Sequence, residues 1–433
     1  MKKLSCFLLS SVLLCIGLGI AGCDGNNQDP NEIVVWMEGE GPSYGDVVTF
    51  SDYFTENNPW NYKMTIQIKT SVSAALSTAV MSGDAADLVI WPRWETATQA
   101  RGGDMLVNLR NRINGYPELD IDDFNVKAVE ECSIGTSIYG IPTDVGGWGI
   151  WCNMDIFEEV GLTVADLPDV WSDLVPLAQT LTKKDGDTIV RAGFDIVGIR
   201  GQLYSMLLTA NHKYVKLNSS DVPYVDLDNA AGNAFFKLAD DLNKAGVFTI
   251  GFGGADAVSN FASGKLAMMY GSNYFEKQLA SVGATDMNLC FVPNPACDYI
   301  QGVSGIHSGI LGGFSLAIPV NLKDTARSWE VMKWWLEKEN LAKYTELTGE
   351  LPARHSLWVN DYIEDNYINT ILVDVLDDFE IRPPFLGYSY FEMNTIFTQM
   401  DLFLGGNATV TEVITKITNN GNAIFQDFAN QRG

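Results

Sequence analysis

Hydrophobic and polar positions near the start of the chain switch repeatedly between two periods. Glu32-Ile33-Val34-Val35-Trp36-Met37 is a short apolar run ending at Gly and Pro, which predicts a strand. From Asp46 to Glu56 the apolar residues Val47, Val48, Phe50, Tyr53 and Phe54 recur at helical spacing. Met64 to Lys69 alternates with period two, a half-buried strand, and Ala74 to Met81 is helical, stopping at Ser82-Gly83-Asp84. Asp87-Leu88-Val89-Ile90-Trp91 is a buried strand broken by Pro92. Alternation of this kind predicts an α/β fold with a parallel sheet flanked by helices. Ligands of such sheets bind beyond the carboxyl ends of the strands. Trp36, Glu38, Trp91, Arg93 and Trp94 all sit at such ends.

A second region begins at Tyr139-Gly140-Ile141-Pro142, followed by the Gly-rich strand Gly146 to Trp151. Helices are predicted over Asp155 to Val160, Trp171 to Leu181 and Ala230 to Ala245, with a hairpin turn at Asp185-Gly186. Phe261 to Tyr270 reads as a helix end leading into a buried strand, and Gly312 to Pro319 as another strand before the helix Asp324 to Leu336. From Asn360 onward the tail is mostly helical, and no fixed-period repeat or low-complexity segment is present.

The first residues have a different design. Lys2 and Lys3 precede an uncharged apolar stretch, Leu4 to Ile20, which ends in Ile20-Ala21-Gly22-Cys23 before the polar run Asp24 to Pro30. That stretch is too short, and too rich in Ser and Gly, for a comfortable spanning helix. An ordinary signal peptide cut near Ala21 and an uncleaved anchor are the plain alternatives. The segment resembles the lipobox of bacterial lipoproteins, with Ile20 in place of the commoner Leu. This resemblance implies a signal peptide over residues 1–22, acylation of Cys23, a tether over 23–30 and a membrane contact through the lipid. Stable anchoring needs more than one acyl chain. Asp24 resembles an inner-membrane retention signal if the host has two membranes.

Composition narrows the class. Without the first 22 residues, 411 of the 433 remain, enough for two ordinary domains or one large one. The net charge of −26 falls by two, to −28, when Lys2 and Lys3 are removed. Such acidity disfavours nucleic acid and polyanionic substrates, and is read as solubility for an exposed protein. Four cysteines follow Cys23: Cys132, Cys152, Cys290 and Cys297. Outside the cytoplasm they are free to pair. Cys290 and Cys297, flanking a Pro-containing loop, are the better candidate pair, with four buried free thiols as the alternative. Their spacing does not suit structural zinc, the chain has only three histidines, and no metal or cofactor is expected.

Signatures of catalysis are missing: there is no nucleophile elbow, HExxH, P-loop or EF-hand spacing. Gly39 to Gly45 follows a strand, but Glu38 and Glu40 would repel a pyrophosphate and Pro42 lacks an amide donor. Glu38 and Glu40 as a glycosidase pair remain conceivable, although carboxylates at strand ends more often bind a ligand or cap a helix. The aromatic residues are more informative. Eleven Trp and sixteen Tyr include several in turns, and aromatic faces beside hydrogen-bonding groups suit sugars. Trp329, Trp334 and Trp335 share a helix and are assigned to core or interface, whereas Trp36, Trp94, Trp148 and Tyr274 have Gly or polar neighbours.

Five segments then appear in a familiar order. Tyr139-Gly140-Ile141-Pro142 with Trp151 to Leu162, Leu167 to Leu174, Phe261 to Met269, Gly312-Gly313-Phe314 with Ile318-Pro319, and Leu351-Pro352-Ala353-Arg354 resemble successive motifs of the extracellular solute-binding proteins of ABC importers. That group includes maltodextrin-binding protein. The resemblance covers roughly residues 31 to 360 and implies a two-lobe periplasmic-binding-protein fold, each lobe a sheet flanked by helices, joined by a multi-strand hinge. It divides the chain into 31–142 plus 303–360 and 143–302 plus 361–433, with crossings near Pro142, Val303 and Asn360. A hinge closing on solute would then present the closed form to a membrane permease.

The same resemblance suggests ligand contacts at Asn273 and Tyr274 after the "GKAAM"-like strand, and at Gly313 and Phe314, where Phe replaces the commoner Trp or Tyr. Strand-end loops add Trp36, Glu38, Trp91, Arg93, Trp94, Asp144 and Trp148, and Arg354 is either a contact or structural. A monomer capturing a mono- or oligosaccharide for an ABC permease, with no chemistry of its own, is the expected function. The other readings are a polyol phosphate or polyamine as solute, or a secreted carbohydrate-active enzyme.

Overall fold

A computed structural model describes residues 29–38, 42–249, 252–320, 322, 324–359 and 367–430. The apolar leader, Cys23 and the crossing expected near Asn360 lie outside the described residues.

Five strands form the first sheet, in the order Lys63–Lys69, Glu32–Glu38, Leu88–Pro92, Phe314–Ala317, Gly140–Pro142. The first three run parallel, as strand–helix alternation requires, and Phe314–Ala317 is antiparallel to both its neighbours. Both faces are covered. Ile33, Val35 and Met37 share a core with Val47, Phe50 and Phe54 of the helix Pro42–Asn57. Val34 and Trp36 meet Val72, Leu76 and Val80 of the helix Val72–Ser82. A strand buried on two faces has no polar side, so Ile33 to Met37 reads as an unbroken apolar run. Phe50 and Phe54 are inaccessible to solvent, and each such side chain contributes about 1.5–3 kcal/mol through burial. Trp329, Trp334 and Trp335 are buried on the helix Thr325–Leu336, and the last two pack on Phe50.

The second sheet is built on one strand, Asp144–Asn153. Met268–Ser272 and Leu289–Pro293 flank its carboxyl half, while Leu311–Gly312 and Leu351–Pro352 pair near its amino end. Every one of these pairs is antiparallel, unlike the parallel arrangement predicted for the start of the chain. The paired strands here are distant in sequence and are not joined as strand–helix–strand units, so the rule for adjacent parallel strands has no hold on them. Ile150 and Cys152 face a second core with Leu174, Ala178, Phe235 and Leu238 of the helices Trp171–Leu181 and Ala230–Lys244. Trp151 points the other way, onto Phe275 and Phe291. The last helix, Val410–Asn430, closes this core with Val413, Ile414, Ile417 and Phe425, which recur at helical spacing. Among the described residues no helix is long and apolar enough to cross a membrane.

Thr143 carries the chain from the first sheet to the second, and Gly313 carries it back. The sequence places the return near Val303, but the Val303 amide only closes a turn on the carbonyl of Ile300. The residues that pass between sheets are Leu311–Phe314.

Candidate functional site

Where the chain crosses between sheets, one arginine holds two of the passages. Pro92 ends its strand and the helix Arg93–Gly103 begins at once, which turns the Arg93 side chain into the gap between the sheets. Arg93 is fully buried. Its Nη1 donates to Asp144 O at 2.6 Å, and its Nη2 to Leu311 O at 3.0 Å and Gly312 O at 2.6 Å. Nε pairs with Glu131 Oε2 at 3.0 Å. The planar guanidinium thus fastens the outgoing and returning strands to the end of a first-lobe strand, a task suited to its fixed fork of donors. Asp144 adds a second tie, accepting from Phe314 N at 2.9 Å and Thr143 Oγ1 at 2.7 Å. Gly313 sits between them at φ +134°, and a Cβ there would stand 2.0 Å from Arg93 Nη1 and 2.5 Å from Asp144 O. Only glycine fits.

This centre holds more carboxyls than cations. Asn273 Nδ2, at the end of Met268–Ser272, donates to Glu350 Oε2 at 2.7 Å, and both residues are buried. Burial pushes the Asp144 carboxyl up to about 6, against the pull of Thr143, Arg93 and the Phe314 amide. Burial first, and the nearby Asp144 second, raise Glu350 well above the ordinary range, opposed by Asn273 and Arg93. Glu131 is also raised by burial despite its pairing with Arg93. An unpaired charge in a dry site is costly, so burial favours the protonated form of each of these carboxyls.

On the second lobe, Trp148, Asn273 and Tyr274 are brought together, because Ser272 pairs directly with Trp148. Within the strand Asp144–Asn153 only Trp148 is exposed, at 36%. On the first lobe, the carboxylate of Glu38 accepts from Val72 N at 3.2 Å. Burial raises its pKa, and the negative charge of Glu95, next to Trp94, adds to the rise. The lobes touch beyond these residues. The Arg382 guanidinium lies 4.2 Å from the centre of the Trp94 ring, and Arg101 Nη1 donates to Pro384 O. Between Trp94, Glu131, Arg382 and Tyr388 there is a cavity of only about 10 Å³, room for about one water. A solute on the Trp94 face therefore requires Arg382 to move or the lobes to part.

A hinge of paired strands beneath two facing lobes is a form shared with known proteins. The model of the bacterial extracellular solute-binding protein family matches residues 49–342. The chain belongs to this family. A protein of Brucella abortus (strain 2308), named only as a binding protein, is 22% identical over 347 residues, which span 76% of this chain and 77% of that one. Among solved structures, an ABC transporter solute-binding protein of Thermotoga lettingae bound with alpha-D-tagatose is similar, with a TM-score of 0.77 at 18% identity. The match covers 91% of this chain and 100% of that one. The GacH receptor of Streptomyces glaucescens, solved unliganded and with acarbose, gives a TM-score of 0.74 at 19% identity over 92% of this chain and 98% of that one. At these identities the likeness is one of fold.

In this member of the solute-binding family the sequence-named residues fall into separate places. Glu38 and Trp94 stand on the first lobe, Trp148, Asn273 and Tyr274 on the second, and Arg93, Asp144, Gly313 and Phe314 in the hinge between them. Three others lie apart. Trp91 is buried, with Nε1 donating to Thr96 Oγ1 at 2.8 Å. Trp36 is 7% exposed in the first-lobe core, with Lys69 Nζ 4.5 Å from its ring centre. Arg354 is buried against Phe124 and bonds Asp123 at 3.0 Å, Leu119 O and Leu336 O. In this structure the four cysteines beyond Cys23 are unbonded, and Cys290 faces Cys152 across the sheet. Sequence reading passed over Glu131, Glu350 and Arg382. Glu350 immediately precedes the Leu351-Pro352 motif and Arg382 precedes Pro383-Pro384. A charge beside a stiff Pro segment was the available signal.

Proposed function

We propose that this is an extracytoplasmic solute-binding protein, lipid-anchored through Cys23, that captures a sugar between its lobes and delivers it to an ABC permease. Trp148 is the observation that carries the sugar reading. A large aromatic side chain in the middle of an otherwise buried strand loses the burial its size would give. Its open face, beside Asn273 and Tyr274, offers a stacking surface next to hydrogen-bonding groups, the combination a sugar ring needs. Trp94 supplies a second such face on the opposite lobe once Arg382 leaves it. Family membership supports the extracytoplasmic setting and the permease partner, and structural neighbours named with bound sugars support the ligand class.

The mechanism is capture by closure. Thr143, Gly313 and their ties to Arg93 and Asp144 form the pivot, and solute bridging Trp94 and Trp148 favours the closed form by binding it more tightly. No covalent step is required, and the protein acts as a monomer. A thermal-shift screen of the protein against a sugar library tests this: a bound saccharide raises Tm. Trp148→Ala should abolish that rise, and because the side chain is only 36% exposed it should also lower the unliganded Tm through the burial lost. Silence across all sugars, or hydrolysis of any of them by the wild type, would sink the proposal.

A further inference from the structure

The strand Leu289–Pro293 pairs with Asp144–Asn153 in a register that sets Cys290 directly opposite Cys152. Residues opposed in this way have Cα atoms about 4.5 or 5.5 Å apart, within the roughly 4.4–6.8 Å that a disulfide spans. Both side chains turn to the same face. Cys152 belongs to the second core together with Ile150, and Cys290 packs against that core together with Val292. Trp151 and Phe291 point to the other face. Burial, and the neighbouring Cys290 sulfur, hold the Cys152 thiol well above the usual range.

Neither remaining thiol is placed as well. Two prolines, Pro293 and Pro295, separate Cys297 from Cys290, and the Cys297 amide is turned toward Thr209 O. Cys132 is buried in the first lobe beside Arg93, Thr96 and Ser315.

We propose that Cys152 and Cys290 are an oxidisable cross-strand pair, closed to a disulfide as the exported chain folds. The inference rests on the extracytoplasmic setting of the family and not on the sugar reading. The oxidant is a disulfide-bearing thiol carrier. The Cys290 thiolate attacks one of its sulfurs, forming a mixed disulfide and releasing one thiol. The Cys152 thiolate then attacks Cys290 Sγ, forming the protein disulfide and releasing the second thiol. Two thiols are oxidised, one disulfide is reduced, and each departing thiolate takes a proton from the thiol it replaced. Cys152 is fully buried in the folded protein while Cys290 is partly exposed, so Cys290 is the point of entry and Cys152 closes the bond. The bond would lock the edge strand Leu289–Pro293 onto the central strand of the second sheet, which starts in the hinge.

The test uses the full-length protein, exported in a bacterial host, extracted in detergent, and refolded with glutathione disulfide as the oxidant. Free thiols are then blocked with iodoacetamide, and peptides are mapped without reduction after chymotryptic cleavage, which at Phe291 separates Cys290 from Cys297. The expected result is a linked pair of peptides carrying Cys152 and Cys290, retained in Cys297→Ala. Reduction should lower the wild-type Tm and leave that of Cys290→Ser unchanged. A Cys290–Cys297 link, or alkylation of Cys152 and Cys290 in every molecule, overturns the inference. The wild-type and Cys297→Ala maps decide the matter even if Cys290→Ser fails to fold.

Discussion

Replacing Arg93 by Met keeps most of the aliphatic stem and removes the fork that ties the hinge. Four hydrogen bonds go: three to the carbonyls of Asp144, Leu311 and Gly312, and one to the Glu131 carboxylate. Removing one partner of a buried ion pair costs about 3–5 kcal/mol. Each carbonyl left without a donor adds about 1 kcal/mol or more. The sum, roughly 6–8 kcal/mol, is a large part of the ~5–15 kcal/mol that holds an ordinary domain together. Acid should return some of it. Without the guanidinium, the already raised Glu131 carboxyl is raised further, so folding takes up a proton. A carboxyl with a raised folded pKa stabilises below its unfolded pKa and loses that contribution as pH rises through the folded value. The deficit of Arg93→Met relative to wild type should therefore shrink on going from pH 7.5 to 5.5, by up to about 1.4 kcal/mol per pH unit. Urea unfolding followed by tryptophan fluorescence reads both quantities, and Arg93→Lys should fall between the two proteins because it keeps the charge without the fork. If Arg93→Met unfolds within about 1 kcal/mol of wild type yet no longer binds solute, Arg93 is a ligand contact and the hinge argument is wrong.

Gly313→Ala places a Cβ against Arg93 and Asp144 at φ +134°. It should destabilise by more than the ~1–3 kcal/mol of backbone strain alone, whereas Gly83→Ala, with φ +78° and open space around it, should cost only that strain; melting curves of the two variants make the comparison. The raised carboxyls of Asp144 and Glu350 take up protons on folding, so wild-type Tm should decline as pH rises from about 4, the unfolded carboxyl range, toward 8. Glu350→Gln still accepts the Asn273 hydrogen bond and should flatten that decline, and an unchanged slope would refute the role given to Glu350. Cys23→Ser should move the exported protein from the detergent phase to the aqueous phase on Triton X-114 partition, and retention in the detergent phase would exclude the lipid anchor.

Much of the architecture is written in local pattern. Apolar runs such as Ile33–Met37, and the helical spacing of Val47, Phe50 and Phe54, announce the first lobe because each element shows its period over a few residues. Trp171–Leu181 appears as predicted for the same reason. The order of short motifs carried the family, which the match over residues 49–342 bears out. The contacts that define the pivot were not legible. Arg93 meets carbonyls at residues 144, 311 and 312, and Glu350 meets Asn273. No periodicity links positions so far apart. Nor does a strand-end arginine carry any mark that separates a ligand contact from a tie between strands; burial alone tells them apart, and burial belongs to the assembled lobes. The cysteines follow the same logic. Nearness in sequence favoured Cys290 with Cys297, whereas sheet register set Cys290 against Cys152. Sequence by itself determined the elements, the family and the aromatic inventory, because these depend on local spacing and residue type. Tertiary structure alone decided which charges share a buried site, which tryptophan stays in water and which sulfurs face each other, because those depend on chain segments meeting from opposite ends of the molecule.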